Sequence, residues 1–324
     1  MTRQRLDVLV IGAGVSGLTT AICLAEAKRS VTVATADHPL RTTSAAAGAV
    51  WGPHLVGMDE RVARWGSLTL ARLTELAADP ATGVRLATGM AAFRKPQAEP
   101  GDMVGAVDGA RPCDPAELPA GYAEGWWLTV PVVSMAVYLG YLVARLHRAG
   151  GRLQTARFAS LAGAAEAAGL TGAQVIVNCS GVGARRLVPD SQVTPVRGQA
   201  VLAENPGLSR FFVGVGDEPG DLTYYFPHRD VVVLGGTEER GNWSLEPDPA
   251  TAERILRGCA AVEPRLRGAK VTAHRAGLRP VRPSVRLEAE NLDGGRRLLH
   301  NYGHGGAGVT LSWGCATEAA AMAG

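Results

Sequence analysis

Cysteine is scarce in this 324-residue chain, and its five thiols, Cys23, Cys113, Cys179, Cys259 and Cys315, are dispersed. An odd count without a CxxC pair excludes a disulfide framework and a cysteine-based metal site, so reduced, mostly buried thiols and no metal are expected. Long apolar runs are also missing at the start: MTRQRLDVLVIGAG reaches glycine too soon for a membrane span or the core of an export signal. The expected compartment is therefore the cytoplasm, with no membrane partner. Neither sign of charge is in excess, since 33 basic and 30 acidic residues leave a formal charge of +3. Without a basic stripe a nucleic-acid partner is not expected, and a small molecule is. Hydrophobic residues make up 46% and charged residues 19%, which excludes disorder and leaves material for two domains. No fixed-period repeat, coiled coil or low-complexity tail is present.

What is present begins with an apolar run, Leu6 to Ile11, long enough for one buried parallel strand. It leads into Gly12-Ala13-Gly14-Val15-Ser16-Gly17 and a helical stretch through Ala27. Gly12 permits the tight turn, Gly14 lets backbone approach a pyrophosphate, and Gly17 allows close packing of helix on strand. The helix start offers unpaired N–H groups and a positive dipole end to phosphates. A second strand follows at Ser30 to Ala34, so the glycines sit where a dinucleotide site needs them. A ribose-binding acid is expected about 20 residues further on; the nearest is Asp37, so that contact is shifted or weakened. The segment Arg41-Thr42-Thr43-Ser44-Ala45-Ala46-Ala47-Gly48-Ala49 combines hydroxyls with very small side chains. Thr42, Thr43, Ser44, Gly48 and Ala49 suit a loop pressed against phosphates and a flat ring system.

Further along, a helix is predicted at Arg61 to Ala77, loops over Lys95 to Ala120, and an apolar helix from about Ser134 to Ala149, ended by Gly150-Gly151. Arg152 to Phe158 and Ala173 to Asn178 read as strands, the second leading to Ser180, a small residue that could lie beside a cofactor. From Thr194 short β-type runs follow: Gln199 to Leu202, Phe211 to Val215, Leu222 to Phe226 and Val231 to Gly235, with His228-Arg229-Asp230 as a turn. A helix near Pro249 to Val262 interrupts this antiparallel sheet. The expected class is α/β: a Rossmann-like cofactor domain from residues 1–55, 131–190 and 276–324, with a substrate domain from 56–130 and 191–275.

Three C-terminal blocks carry a family resemblance: Gly277-Leu278-Arg279-Pro280-Val281-Arg282-Pro283, His300-Asn301-Tyr302-Gly303-His304-Gly305-Gly306-Ala307-Gly308, and Trp313-Gly314-Cys315-Ala316. With Val177 to Gly181, Pro195 to Gln199 and Leu234 to Thr237, they resemble D-amino-acid oxidases over nearly the whole chain. The resemblance implies FAD as cofactor and oxidative deamination of a D-amino acid by oxygen, giving a 2-oxo acid, ammonia and hydrogen peroxide. It also implies that the α-hydrogen leaves as hydride to flavin N5, with orientation as the protein's main task. Arg282, fixed between two prolines, is expected to clamp the substrate carboxylate and to lie by the flavin. The resemblance adds Tyr224 as a second carboxylate contact and the Gly306 carbonyl as acceptor for the substrate amine, while Tyr225 points to the other face and packs. Cofactor contacts are expected to extend to Phe158, Ser180, Gly305, Gly306, Gly308, Val309 and Thr310, with bare amides of the glycine loop facing the pyrimidine edge of the flavin. His300 and His304 read as structural hydrogen-bonders.

The chain departs from some members of that family. Gly220 stands where a lid tyrosine occurs, and Gly52 where a pocket glutamine occurs. His54, in a Pro-His pair, resembles D-aspartate oxidases, but Glu238 lies where those enzymes tend to place an arginine, and an acid would repel a second substrate carboxylate. Neutral or basic D-amino acids are thus favoured. A D-aspartate oxidase, a glycine or sarcosine oxidase and a non-enzymatic flavin sensor are the alternatives. A homodimer is possible, and the absence of a Ser-Lys-Leu ending fits a bacterial cytoplasmic enzyme.

Overall fold

The computed structural model describes residues 7–97, 101–161, 163, 173–218, 220–292 and 295–324. The apolar run after the N-terminus forms β1 (Asp7–Ile11), and the glycine turn leads into α1 (Val15–Glu26) and β2 (Ser30–Thr35). A single turn of helix, α2 (Thr43–Ala46), follows, then α3 (Glu60–Leu76) and β3 (Val84–Phe93). Next come β4 (Arg111–Pro112), β5 (Glu124–Val133), α4 (Met135–Arg148), β6 (Arg152–Thr155) and β7 (Val175–Asn178). The later strands are β8 (Thr194–Glu204), β9 (Phe211–Val215), β10 (Leu222–Pro227), β11 (Val231–Gly235) and β12 (Glu239–Arg240). The chain ends with α5 (Pro249–Val262), β13 (Val271–Asn291), β14 (Arg297–His304) and α6 (Gly308–Met322).

All these strands join one sheet, with β12 off the main path on β8. At one end β14, β7, β1, β2 and β6 run parallel. Parallel strands need crossovers and are covered on both faces, which is why Val8, Leu9 and Val10 are all buried without polar alternation. Helix α1 packs between α6 and α4, and burying Leu18 and Ile22 completely contributes about 1.5–3 kcal/mol each. At the other end β9, β10, β11 and β8 are antiparallel neighbours.

The two ends are joined by β13. It pairs with β8 from Val271 to Val281 and with β14 from Val281 to Asn291, with an irregular register between Val281 and Arg286. Pro280 lies opposite Pro195, and their carbonyls turn outward to accept the Gly305 and Gly241 amides at 2.9 Å each, so the prolines occupy a pair that exchanges no ladder bond. Prolines are tolerated in strands where pairing is interrupted, and Pro283 falls in that irregular stretch.

Several strands were not anticipated, among them β3, β5 and the long β13. β3 reads VRLATGMAAF, too small and uniform for a clear alternation, and β5 occupies the residues just before the predicted α4, including Pro131. Within Lys95 to Ala120 the described residues add β4 and short turns. Helix α3 packs on α6, although its sequence position groups it with the second unit. The predicted strand at Arg152 to Phe158 ends at Thr155. Among the described residues, no helix is long and apolar enough to cross a membrane.

Candidate active site

At the start of α1 the glycines perform separable tasks. Gly12 has φ +105°, and a Cβ there would lie 2.5 Å from the Cys179 carbonyl oxygen. A Cβ on Gly17 would run into the carbonyl of Gly12. Gly14 caps the helix in extended conformation without a side-chain hydrogen bond. A Cβ there would stand 3.0 Å from Ser44 Oγ, which itself accepts the Val15 N–H at 2.9 Å. The strand–turn–helix start thus meets the 42–44 turn, which brings Gly14, Val15, Thr42 and Ser44 together.

Helix α2 and the loop after it face the sheet. Thr43 Oγ1 donates to the Leu278 carbonyl at 3.2 Å, Arg275 Nη1 donates to the Ala45 carbonyl at 2.8 Å, and a Cβ on Gly277 would be 3.0 Å from the Ala46 methyl. Gly48 has no room for a side chain, because a Cβ would sit 2.6 Å from the Phe226 ring and 3.2 Å from that of Tyr224. Tyr224 and Phe226 share one face of β10 and stack with ring centroids 4.6 Å apart. Tyr225 points the other way and stacks on Phe212, as strand alternation requires.

The guanidinium beside Tyr224 is that of Arg279. Its positive charge bears on the phenol, whose pKa burial raises and the Arg279 charge partly offsets. Both side chains depend on missing Cβ atoms beneath them: one on Gly198 would be 2.5 Å from the Arg279 guanidinium, and one on Gly235 would collide with the Tyr224 ring. Arg279 Nη1 also donates to the Thr237 carbonyl at 2.9 Å. Register explains the grouping. Gly198 pairs with Gly277, Ala200 with Arg275 and with Gly235, and Gly235 with Tyr224. Directly paired residues point to one side of a sheet, and this side faces the small-residue loop.

Arg282, the arginine singled out from the sequence, lies elsewhere, and the clamp expected of it is corrected. Its Nε donates to Asp190 Oδ2 at 3.0 Å and its Nη1 to the Ser284 carbonyl at 3.1 Å. Asp190 Oδ2 also accepts the Tyr302 hydroxyl at 2.8 Å. Burial alone would raise the Asp190 carboxyl, but donors from Tyr302, the Gln192 amide and Arg282 hold it below its usual range. The proline-flanked arginine therefore ties the irregular part of β13 to the loop before β8. Arg279 was not singled out, since its place on the face of Gly277 is set by the pairing of β13 with β8.

The other residues divide: Ser180 and Gly308 lie beside the glycine turn, where a Cβ on Gly12 would stand 3.5 Å from Ser180 Cα and one on Gly308 3.9 Å from the Val15 side chain, while others lie apart. Asp37 is over half exposed and pairs with Arg157, also exposed, at 2.9 Å. Phe158 packs with Leu9 and Ile11 in an apolar cluster beneath the parallel strands. Ser180 Oγ donates to Asn178 Oδ1 at 2.6 Å. In the glycine loop the amides of Gly305 and Gly306 are not bare, as they donate to the carbonyls of Pro280 and His54, each at 2.9 Å. Free donors instead begin at Gly308, Val309 and Thr310, the first turn of α6, which by helix geometry lack intrahelical acceptors. Thr310 Oγ1 fastens that turn to the Gly52 carbonyl at 2.7 Å. Gly306 itself is exposed, leaving its carbonyl edge accessible. Burial pushes His304 down to about 4, and its Nε2 lies 3.0 Å from Asn301 Oδ1, deep in the core.

His54 and Glu238 complete the surroundings, with Nε2 and Oε1 3.1 Å apart. The hydrogen bond from His54 holds the Glu238 carboxyl below its usual range against the opposing effect of burial. All five cysteines are free, and burial pushes Cys179 and Cys259 up to about 12, leaving them unreactive thiols.

A glycine cradle at a helix start, on a parallel sheet continuous with an antiparallel one, defines a dinucleotide-dependent oxidoreductase. Its residues fit a flavin dinucleotide: a cradle at Gly14 that a Cβ would narrow, a side-chain-poor loop over residues 43–49, and a helix start at Gly308. The chain belongs to the FAD dependent oxidoreductase family, whose profile matches residues 7–322. It is 53% identical over 318 residues to a D-amino-acid oxidase of Rubrobacter xylanophilus, covering 98% of this chain and 95% of that one. It is 45% identical over 318 residues to a D-amino-acid oxidase of Streptomyces coelicolor, covering 98% and 96%. Among solved structures, a glycine oxidase from Geobacillus kaustophilus superposes with TM-score 0.80 at 18% identity, over 96% of this chain and 92% of the other, a likeness of fold.

Proposed function

We propose that this chain oxidises D-amino acids with molecular oxygen in the cytoplasm, turning amino acid, oxygen and water into 2-oxo acid, ammonia and hydrogen peroxide. The observation that carries this reading is that Arg279 and Tyr224 lie over glycines 198 and 235 on one face of the sheet, the face that meets residues 43–48. A guanidinium and a phenol side by side supply the donors that a carboxylate accepts. The flavin, when bound, supplies the acceptor for two electrons and the α-hydrogen.

The chain's own residues orient. Arg279 and Tyr224 hold the carboxylate end, and the Gly306 carbonyl accepts from the amine. With both ends fixed, one enantiomer presents its α-hydrogen to the cofactor loop while its side chain points away. A neutral bound amine has a lone pair to assist loss of that hydrogen, so no strong protein base is required. This agrees with His304, which burial makes a weak base with a pKa of about 4 and whose Nε2 faces Asn301 Oδ1 in the core. The first turn of α6 aims its free N–H groups and positive dipole end toward developing negative charge.

A peroxide assay of the FAD-loaded protein across D- and L-amino acids tests the reading. Peroxide and 2-oxo acid in equal amounts from D-enantiomers are expected. Turnover of L-enantiomers alone, or of neither, would reject it.

A further inference from the structure

Glu238 is nearly buried, with 9% of its side chain exposed, whereas its partner His54 is 34% exposed. The acid thus lies inward of the base. It follows Thr237, whose carbonyl holds Arg279, while His54 lies against Gly306 so closely that a Cβ there would strike the imidazole. Glu238 is therefore one step from the carboxylate contact on one side and from the amine contact on the other. His54 supplies one charge-assisted hydrogen bond to Oε1. Oε2 borders Gly220, where an added Cβ would lie 3.8 Å away, so glycine leaves space beside that oxygen.

We infer that Glu238 is a specificity-determining residue that accepts a cationic group, ammonium or guanidinium, at the end of the substrate side chain. His54 is its partner when the side chain carries no charge. The inference rests on the reading of this site as a D-amino-acid oxidase. A carboxylate kept out of bulk water interacts far more strongly with a charge than one at the surface. A cationic side chain gains that interaction, a neutral one leaves the His54 pair intact, and an anionic one meets repulsion. Arg279 is nearby but is committed to the α-carboxylate, so it does not cancel Glu238 for the side chain.

The test compares kcat/KM for D-arginine with that for D-norvaline, which lacks the guanidinium, in the FAD-loaded wild type and in Glu238→Gln and Glu238→Asp. The D-arginine to D-norvaline ratio should fall about tenfold or more in Glu238→Gln, as expected for loss of a desolvated charge partner, and recover in part in Glu238→Asp. A second measurement needs no variant. The holoenzyme should bind 5-guanidinopentanoate, followed by the flavin absorbance, more tightly than pentanoate. An unchanged ratio in Glu238→Gln, or equal binding of the two acids, overturns the assignment while leaving the oxidase reading intact. Failure of the wild type on every D-amino acid would overturn both.

Discussion

An arginine between two prolines is stiff, but stiffness does not say which side of a sheet it serves. In β13 the answer comes from counting in twos from Gly277, whose missing side chain admits Ala46 and Thr43. Arg279 shares that face, while Arg282 lies past the last regular pair of β13 with β8, at Val281. The two arginines should fail differently when removed. Arg279→Ala should cost about 2–5 kcal/mol in kcat/KM for a D-amino acid, mostly through KM, because the carboxylate loses its ionic partner. Arg282→Ala should instead destabilise the fold by roughly 2 kcal/mol, the worth of a hydrogen bond to the charged Asp190, with KM little changed. Steady-state kinetics and thermal melts on both variants decide it. A larger KM effect from Arg282→Ala would return the clamp to the proline-flanked position. The glycine turn was legible because its spacing acts locally, and Tyr224 was named by the family resemblance, with alternation setting Tyr225 on the other face. The choice of arginine was not, because it depends on where β13 leaves β8, which no local pattern records.

Among the elements, those whose pattern repeats along the chain were readable: α1, α3 and α4 by their apolar faces, and β8 to β11 by their turn-bounded runs. β3 and β5 escaped because they are interior strands held by neighbours distant in sequence. Gly89 on β3 has no room for a side chain beneath Phe211 of β9, a constraint visible only once the strands are paired. The contact of α3 with α6 is of the same kind. A Cβ on Gly314 would collide with the backbone of Trp65, so the helices approach as closely as they do only because position 314 is glycine. Gly314→Ala should therefore destabilise by about 1–3 kcal/mol, the usual range for overpacking. Gly140→Ala on α4, with nothing within 4 Å of the new methyl, should stabilise by about 0.5–1 kcal/mol through helix propensity. Urea midpoints for the pair measure the contrast, and a neutral Gly314→Ala would mean that the helices can part at little cost.

For the molecule as a whole, burial of neutral imidazoles sets how stability responds to acid. Burial holds His304 at about 4, and burial with the charges of Arg85 and Arg275 holds His228 at about 4, against an ordinary value of 6.5. Above pH 6.5 these side chains are neutral whether the chain is folded or not, and their contribution is fully present. As pH falls below 6.5 the unfolded chain takes up protons that the folded chain refuses, so stability declines until the folded values near 4 are passed. At about 1.4 kcal/mol per pKa unit, His304 alone accounts for roughly 3 kcal/mol across that window. The carboxyls of Asp190, Glu238 and Glu318, all held below their usual range, act lower. Their contribution is present above their unfolded values and is lost as pH falls through the folded ones. The melting temperature of the FAD-loaded protein should thus already drop between pH 7 and pH 5, before carboxylates matter. His304→Gln should flatten that drop by close to one proton's worth of slope. A flat profile from pH 7 to pH 5 in the wild type would mean that the imidazoles are protonated within the fold and that the core around Asn301 accommodates their charge.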